Sequence, residues 1–162
     1  MEFMKKNKIL YAGSFDPITN GHMDIINQLS DIFSKVIVGI PEDNGKKCLF
    51  SSEQRRLLIE ASISKIKNIE IREYQGLTTD FAKEENIFYL ARGFRDAFDM
   101  TYEKQLAEMN SQLAPSVKTI FLQSNILNNS ISSTLVRQII QARGNFAQFV
   151  HPKAYRLIQS WR

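Results

Sequence analysis

The chain has 162 residues, 43% of them apolar and 23% charged, enough for one hydrophobic core without staples and unlike a disordered tail or a coiled coil, so a single domain over residues 1–162 is expected. Lysine and arginine number 21 against 17 acidic residues, a net charge of +4; the basic residues are scattered, which favours a small phosphate-bearing ligand over nucleic acid as the anionic partner. Cys48 is the single cysteine, which excludes an internal disulfide and argues against a cysteine-based zinc site, and no apolar run reaches bilayer length; a cytoplasmic protein with no membrane partner is expected.

β-rich runs at residues 9–12, 36–40, 69–74, 88–91 and 119–122 alternate with segments long enough for crossover helices, the pattern of an open parallel α/β sheet. The ligand site of such a sheet lies outside the carboxyl ends of its strands. After the first run comes the stretch Gly13, Ser14, Phe15, Asp16, Pro17, Ile18, Thr19, Asn20, Gly21, His22. Gly13 permits a tight turn, Ser14 offers a hydroxyl, and His22 falls at a helix start, where free N–H groups favour phosphate. Neither a Walker A loop nor a G-x-G-x-x-G fingerprint is present, which disfavours P-loop NTPases and dinucleotide dehydrogenases. Ile25, Leu29, Ile32 and Phe33 then share one predicted helix face.

Lys46 and Lys47 lie in a glycine-containing loop after the second run, placed to swing an ammonium onto a phosphate or simply to be solvated. Ser51 and Gln54 predict a capping box for a helix that turns Leu57, Leu58 and Ala61 inward. The fourth run leads into Arg92, Gly93, Phe94 and Arg95. Two guanidiniums flanking a glycine can grip separate phosphate oxygens, or form ion pairs with Asp96 or Asp99. Tyr102, Leu106, Met109 and Leu113 make a helical stripe read as core packing, ended by Pro115. Ser132, Ser133 and Thr134 precede another helical stripe; they can cap that helix and also donate to phosphates. Pro152 suits a first helical turn, with Ala154, Leu157, Ile158 and Trp161 forming the docking face, and His151 reads as structural or exposed.

Taken together, the string from Gly13 to His22, the cluster from Arg92 to Arg95 and the run from Ile131 to Arg137 resemble the HxGH-type nucleotidyltransferase superfamily, with Thr19 at the first histidine position. Over nearly the whole chain the sequence is most similar to the bacterial phosphopantetheine adenylyltransferase family. The resemblance implies a Rossmann-like α/β fold, a five-stranded sheet with helices on both faces, a homohexamer, and magnesium carried by the ATP phosphates. The implied reaction transfers an adenylyl group from ATP to 4'-phosphopantetheine; adenylylation of nicotinamide mononucleotide and a non-catalytic nucleotide-sensing module are the alternatives. By the same resemblance His22 stabilises the transition state, and Ser14, Lys46, Thr78 and Arg92 bind the acceptor. Ser14, Phe15, His22, Gly93, Phe94, Arg95, Glu103, Ser132, Ser133 and Thr134 bind ATP. Asn128 stands where relatives carry an aromatic residue near adenine, so no stacking role is assigned to it.

Overall fold

Alternation along the first strand decides the layering. In the computed structural model, which describes residues 7–42, 47–125 and 131–162, β1 (Lys8–Ala12) sends Ile9 and Tyr11 into one core cluster and Leu10 and Ala12 into another. A strand buried on both faces needs cover on both, and parallel crossovers supply it. The chain continues through α1 (Asn20–Ile32), β2 (Lys35–Pro41), α2 (Ser52–Ile63), β3 (Ile69–Tyr74), α3 (Thr78–Glu84), β4 (Tyr89–Phe94), α4 (Ala97–Leu113), β5 (Lys118–Gln123), α5 (Ser133–Gln141) and α6 (Pro152–Ser160). The strands are all parallel in the order β3-β2-β1-β4-β5. Leu10 of β1 lies beside both Ile37 of β2 and Leu90 of β4. The winding direction reverses between β1 and β4, which opens a crevice at their carboxyl ends.

The larger core layer packs Ile25, Ile26 and Leu29 of α1, Leu58 and Ile59 of α2, Val136 of α5 and Ile158 of α6 on the sheet. On the other face Phe81 and Ala82 of α3 meet Leu10, Ile37 and Leu90. The predicted capping box at Ser51 and Gln54 is present. Pro152 opens α6, which His151 caps by accepting from the Lys153 N–H, and Trp161 packs on Phe50 at 5.9 Å between ring centroids. Among the described residues no helix is long and apolar enough to cross a membrane.

Four expectations need correction. β4 starts at Tyr89 and runs to Phe94, so Arg92, Gly93 and Phe94 are ladder residues paired with Phe121, Leu122 and Gln123 rather than a loop beyond the strand. In α1 the core position at the last turn is taken by Phe33, which leaves Ile32 exposed. In α2 the inward stripe is Arg55, Leu58, Ile59, Ser62 and Ile63, so Leu57 faces out. The α4 stripe does not pack inside this chain: Tyr102, Met109 and Leu113 are 60%, 59% and 51% exposed, and α4 contributes no buried residue.

Candidate active site

The turn after β1 is held from three directions. Phe15 takes a left-handed backbone conformation, φ 46°, unfavourable for a bulky residue. Its buried ring meets Tyr11 edge-on at 5.5 Å and His22 at 5.1 Å. Asp16, 2% exposed, accepts the Leu49 and Phe50 N–H groups at 2.9 and 3.0 Å. From α5, Arg137 Nη1 donates to the Asp16 carbonyl at 2.7 Å and Ser133 Oγ to the Pro17 carbonyl at 2.8 Å. From α2, Arg55, 4% exposed, donates through Nη1 to the Ser14 carbonyl at 2.8 Å.

Thr19 is the N-cap of α1, and His22 completes a capping box with it. The Thr19 N–H donates to His22 Nδ1 at 3.1 Å. Nδ1 is therefore an acceptor, and the proton of the neutral ring sits on Nε2. Burial, helped by the charge of Arg95, pushes the imidazole pKa down from 6.5 to about 4. At neutral pH His22 is an uncharged donor at the start of a helix.

Both guanidiniums are paired. Arg92 is bound by Glu103 through Nη2 at 2.9 Å and through Nε. Arg95 Nη2 donates to Asp99 Oδ1 at 2.8 Å, and that hydrogen bond holds the Asp99 carboxyl below its usual range. Asp96 caps α4, accepting the Phe98 and Asp99 N–H groups. The ion-pair alternative weighed for Arg95 thus holds with Asp99, whereas Arg92 pairs one helical turn further on.

Two polar cavities open here. One, of about 220 Å³, is lined by Thr19, Phe94, Arg95, Ser132 and Ser133 among others. The other, of about 400 Å³, is lined by Ser14, Phe15, Pro41, Tyr74, Thr78 and Arg92 among others. They share Tyr11, His22, Gly93 and Glu103. A Cβ on Gly93 would sit 3.1 Å from Ile25 Cγ1 and 3.5 Å from the Tyr11 hydroxyl, so the glycine keeps the passage between them open.

Residues 10–139 match the family model described as cytidylyltransferase-like. The phosphopantetheine adenylyltransferases of Actinobacillus pleuropneumoniae serotype 5b (strain L20) and serotype 7 (strain AP76) are 42% and 41% identical to this chain over 142 residues, covering 88% of it and 90% of each relative. This chain belongs to the phosphopantetheine adenylyltransferase family. The same fold occurs in a solved nicotinic acid mononucleotide adenylyltransferase of Plasmodium falciparum, with a TM-score of 0.73, 19% identity and 96% of both chains covered. A putative nicotinate-nucleotide adenylyltransferase of Vibrio parahaemolyticus superposes with a TM-score of 0.71 at 13% identity, covering 96% of this chain and 93% of its own. At such identities the two structures bear on the fold alone.

In this phosphopantetheine adenylyltransferase family member, the crevice gathers most of the residues singled out from sequence. Gly93, Phe94, Arg95, Ser132 and Ser133 border the smaller cavity, and Thr78 and Arg92 the larger; His22 and Glu103 border both. Ser14 and Phe15 border only the larger cavity, and the Phe15 ring is core, turned inward by its left-handed backbone. Thr134 lines neither. One residue past Ser133 on α5, and so about 100° further round the helix, it is exposed and accepts from Arg137 Nη2 at 3.1 Å. Lys46 and Asn128 lie outside the described residues. Sequence reasoning did not assign site roles to Tyr11, Thr19, Asp16 or Arg55. The apolar β1 pattern disguises Tyr11, and only the fold brings Arg55 beneath Ser14.

Proposed function

We propose that this chain transfers an adenylyl group from ATP to 4'-phosphopantetheine, forming dephospho-coenzyme A and pyrophosphate, at the junction where the two cavities meet. The observation that carries this reading is the shared His22: one imidazole borders both a serine-lined and an arginine-lined cavity, as a group acting between two phosphorylated reactants must. ATP takes the smaller cavity, with Ser132, Ser133, Gly93, Phe94 and Arg95 about its phosphates and Glu103 beside it. Phosphopantetheine takes the larger, with Ser14 at the reacting end, Thr78 along the arm, and Arg92 and Lys46 on the phosphate. Phe15 shapes the acceptor side and buttresses His22.

The acceptor is a phosphate already largely ionised near neutral pH, so no strong base is required. In-line attack on the α-phosphorus is then a matter of alignment and of donors aimed at growing charge. Neutral His22 donates from Nε2 to an α-phosphate oxygen. Arg92 commits Nε and Nη2 to Glu103 and donates from Nη1 to the Ala12 carbonyl at a long 3.4 Å, which leaves the second Nη1 hydrogen for the acceptor. Among the described residues no three His, Cys, Asp or Glu side chains cluster to hold a metal, and Asp99 and Glu103 are engaged by arginines. These surroundings suit magnesium held by nucleotide phosphates and water rather than by a protein cage; when bound, it supplies charge neutralisation on the leaving pyrophosphate.

The bare α4 stripe supports assembly of several copies, for which a homohexamer is proposed, and the lone cysteine supports a reducing, cytoplasmic setting. The test of the function is to incubate the protein with magnesium and ATP, offering 4'-phosphopantetheine and nicotinamide mononucleotide separately, and to identify products by mass. Dephospho-coenzyme A with pyrophosphate is expected; adenylylation of the mononucleotide alone overturns the reading.

A further inference from the structure

We propose that Tyr11 is a second catalytic donor at this junction, its phenol giving a hydrogen bond to an α-phosphate oxygen as the adenylyl group passes from ATP to the acceptor; this rests on the adenylyl-transfer reading above. Only Tyr11, His22, Gly93 and Glu103 border both cavities. Gly93 has no side chain and Glu103 is committed to Arg92, so the shared donors are His22 and Tyr11. Tyr11 is 7% exposed, yet among the described residues no partner hydrogen-bonds its hydroxyl. A buried hydroxyl normally finds a protein partner or water, and one left open beside a cavity is poised for a ligand.

The ring is fixed. It stands edge-on to Phe15 and lies 6.5 Å from the His22 ring. Its hydroxyl lies over the Gly93 passage, 3.5 Å from where a Cβ would be. Packing explains a ring at this β1 position; it does not explain an oxygen. Burial also raises the phenol pKa, so the group keeps its proton at neutral pH. In the step itself a bond forms between the acceptor phosphate oxygen and the α-phosphorus, the bond from that phosphorus to pyrophosphate breaks, and the Tyr11 proton stays on its oxygen throughout.

The test is Tyr11→Phe. Because the hydroxyl has no partner among the described residues, its removal strands none of them, and the melting temperature should match the parent. Turnover should fall at least about a hundredfold, the lower end of the range for one transition-state donor, with KM for both substrates within about twofold. Turnover within about twofold of the parent, or a marked loss of stability, overturns the proposal. A parent protein that adenylylates no acceptor defeats the functional reading instead. Tyr11 is then judged by its 13Cζ resonance on adding magnesium and ATP, where a shift supports phosphate contact and no shift overturns it.

Discussion

His22 serves two ends of one ring: Nδ1 closes the N-cap with Thr19, and Nε2 is the end proposed to meet the α-phosphate. His22→Ala should lower turnover at least about a hundredfold, on the scale of one lost donor in a dry site, while circular dichroism shows the fold retained; near-normal turnover would remove the ring from the chemistry. Its titration is a separate check. The folded imidazole titrates near 4 against 6.5 for the ordinary group, so between those values the unfolded chain binds more protons. Stability linked to His22 therefore falls as pH drops from about 6.5 to about 4 and is flat above that window. NMR of the imidazole carbons should give a midpoint near 4 in the free protein, and a midpoint near 6.5 would contradict the half-buried, neutral ring. Arg92→Ala should weaken acceptor binding in calorimetry, and unchanged affinity would take Arg92 off the phosphate. The types of these residues were legible in the sequence because glycine, hydroxyl and histidine crowd the end of the first apolar run. The tautomer was not, since it depends on where one backbone N–H points.

Element by element, short β-rich runs located all five strands and the 3.6-residue period located the main helices, because a strand buried on both faces reads as a continuous apolar run and a helix on a sheet as one apolar stripe. It was weaker on phase. In α2 the buried Arg55 occupies an inward position that an apolar count assigns to a leucine, so the predicted stripe slipped onto Leu57. In α4 the stripe was correctly seen but its cover was not, for a repeat says that a face wants burial and not by what. Phe98, Tyr102, Met109 and Leu113 project from α4 into open space in the single chain, and apolar side chains lined up on one exposed face are the mark of an interaction surface. Met109→Glu should shift the light-scattering mass from a multimer towards a monomer, with circular dichroism unchanged. A parent protein already monomeric at micromolar concentration would leave the stripe without this role.

Across the whole molecule, Asp16 ties distant parts together: its carboxylate holds the Leu49 and Phe50 N–H groups and its carbonyl holds Arg137 of α5. Asp16→Ala strands two amide donors and should cost about 3 kcal/mol in urea unfolding; a change below about 1 kcal/mol would show that the tie is dispensable. No local pattern announces such a residue, because its partners lie 33 and more positions away in the chain. Strand order was implicit in sequence only as a rule, and the switch point follows once β1 is known to be central. That central place also shapes synthesis. While the first half of the chain emerges, β3-β2-β1 can assemble as a wing whose inner border, the future seam with β4, stays open until residue 94 has left the ribosome. A nascent chain in that interval offers neighbouring polypeptides an unpaired ribbon of Leu10 and Tyr11, the kind of border along which immature chains stick together.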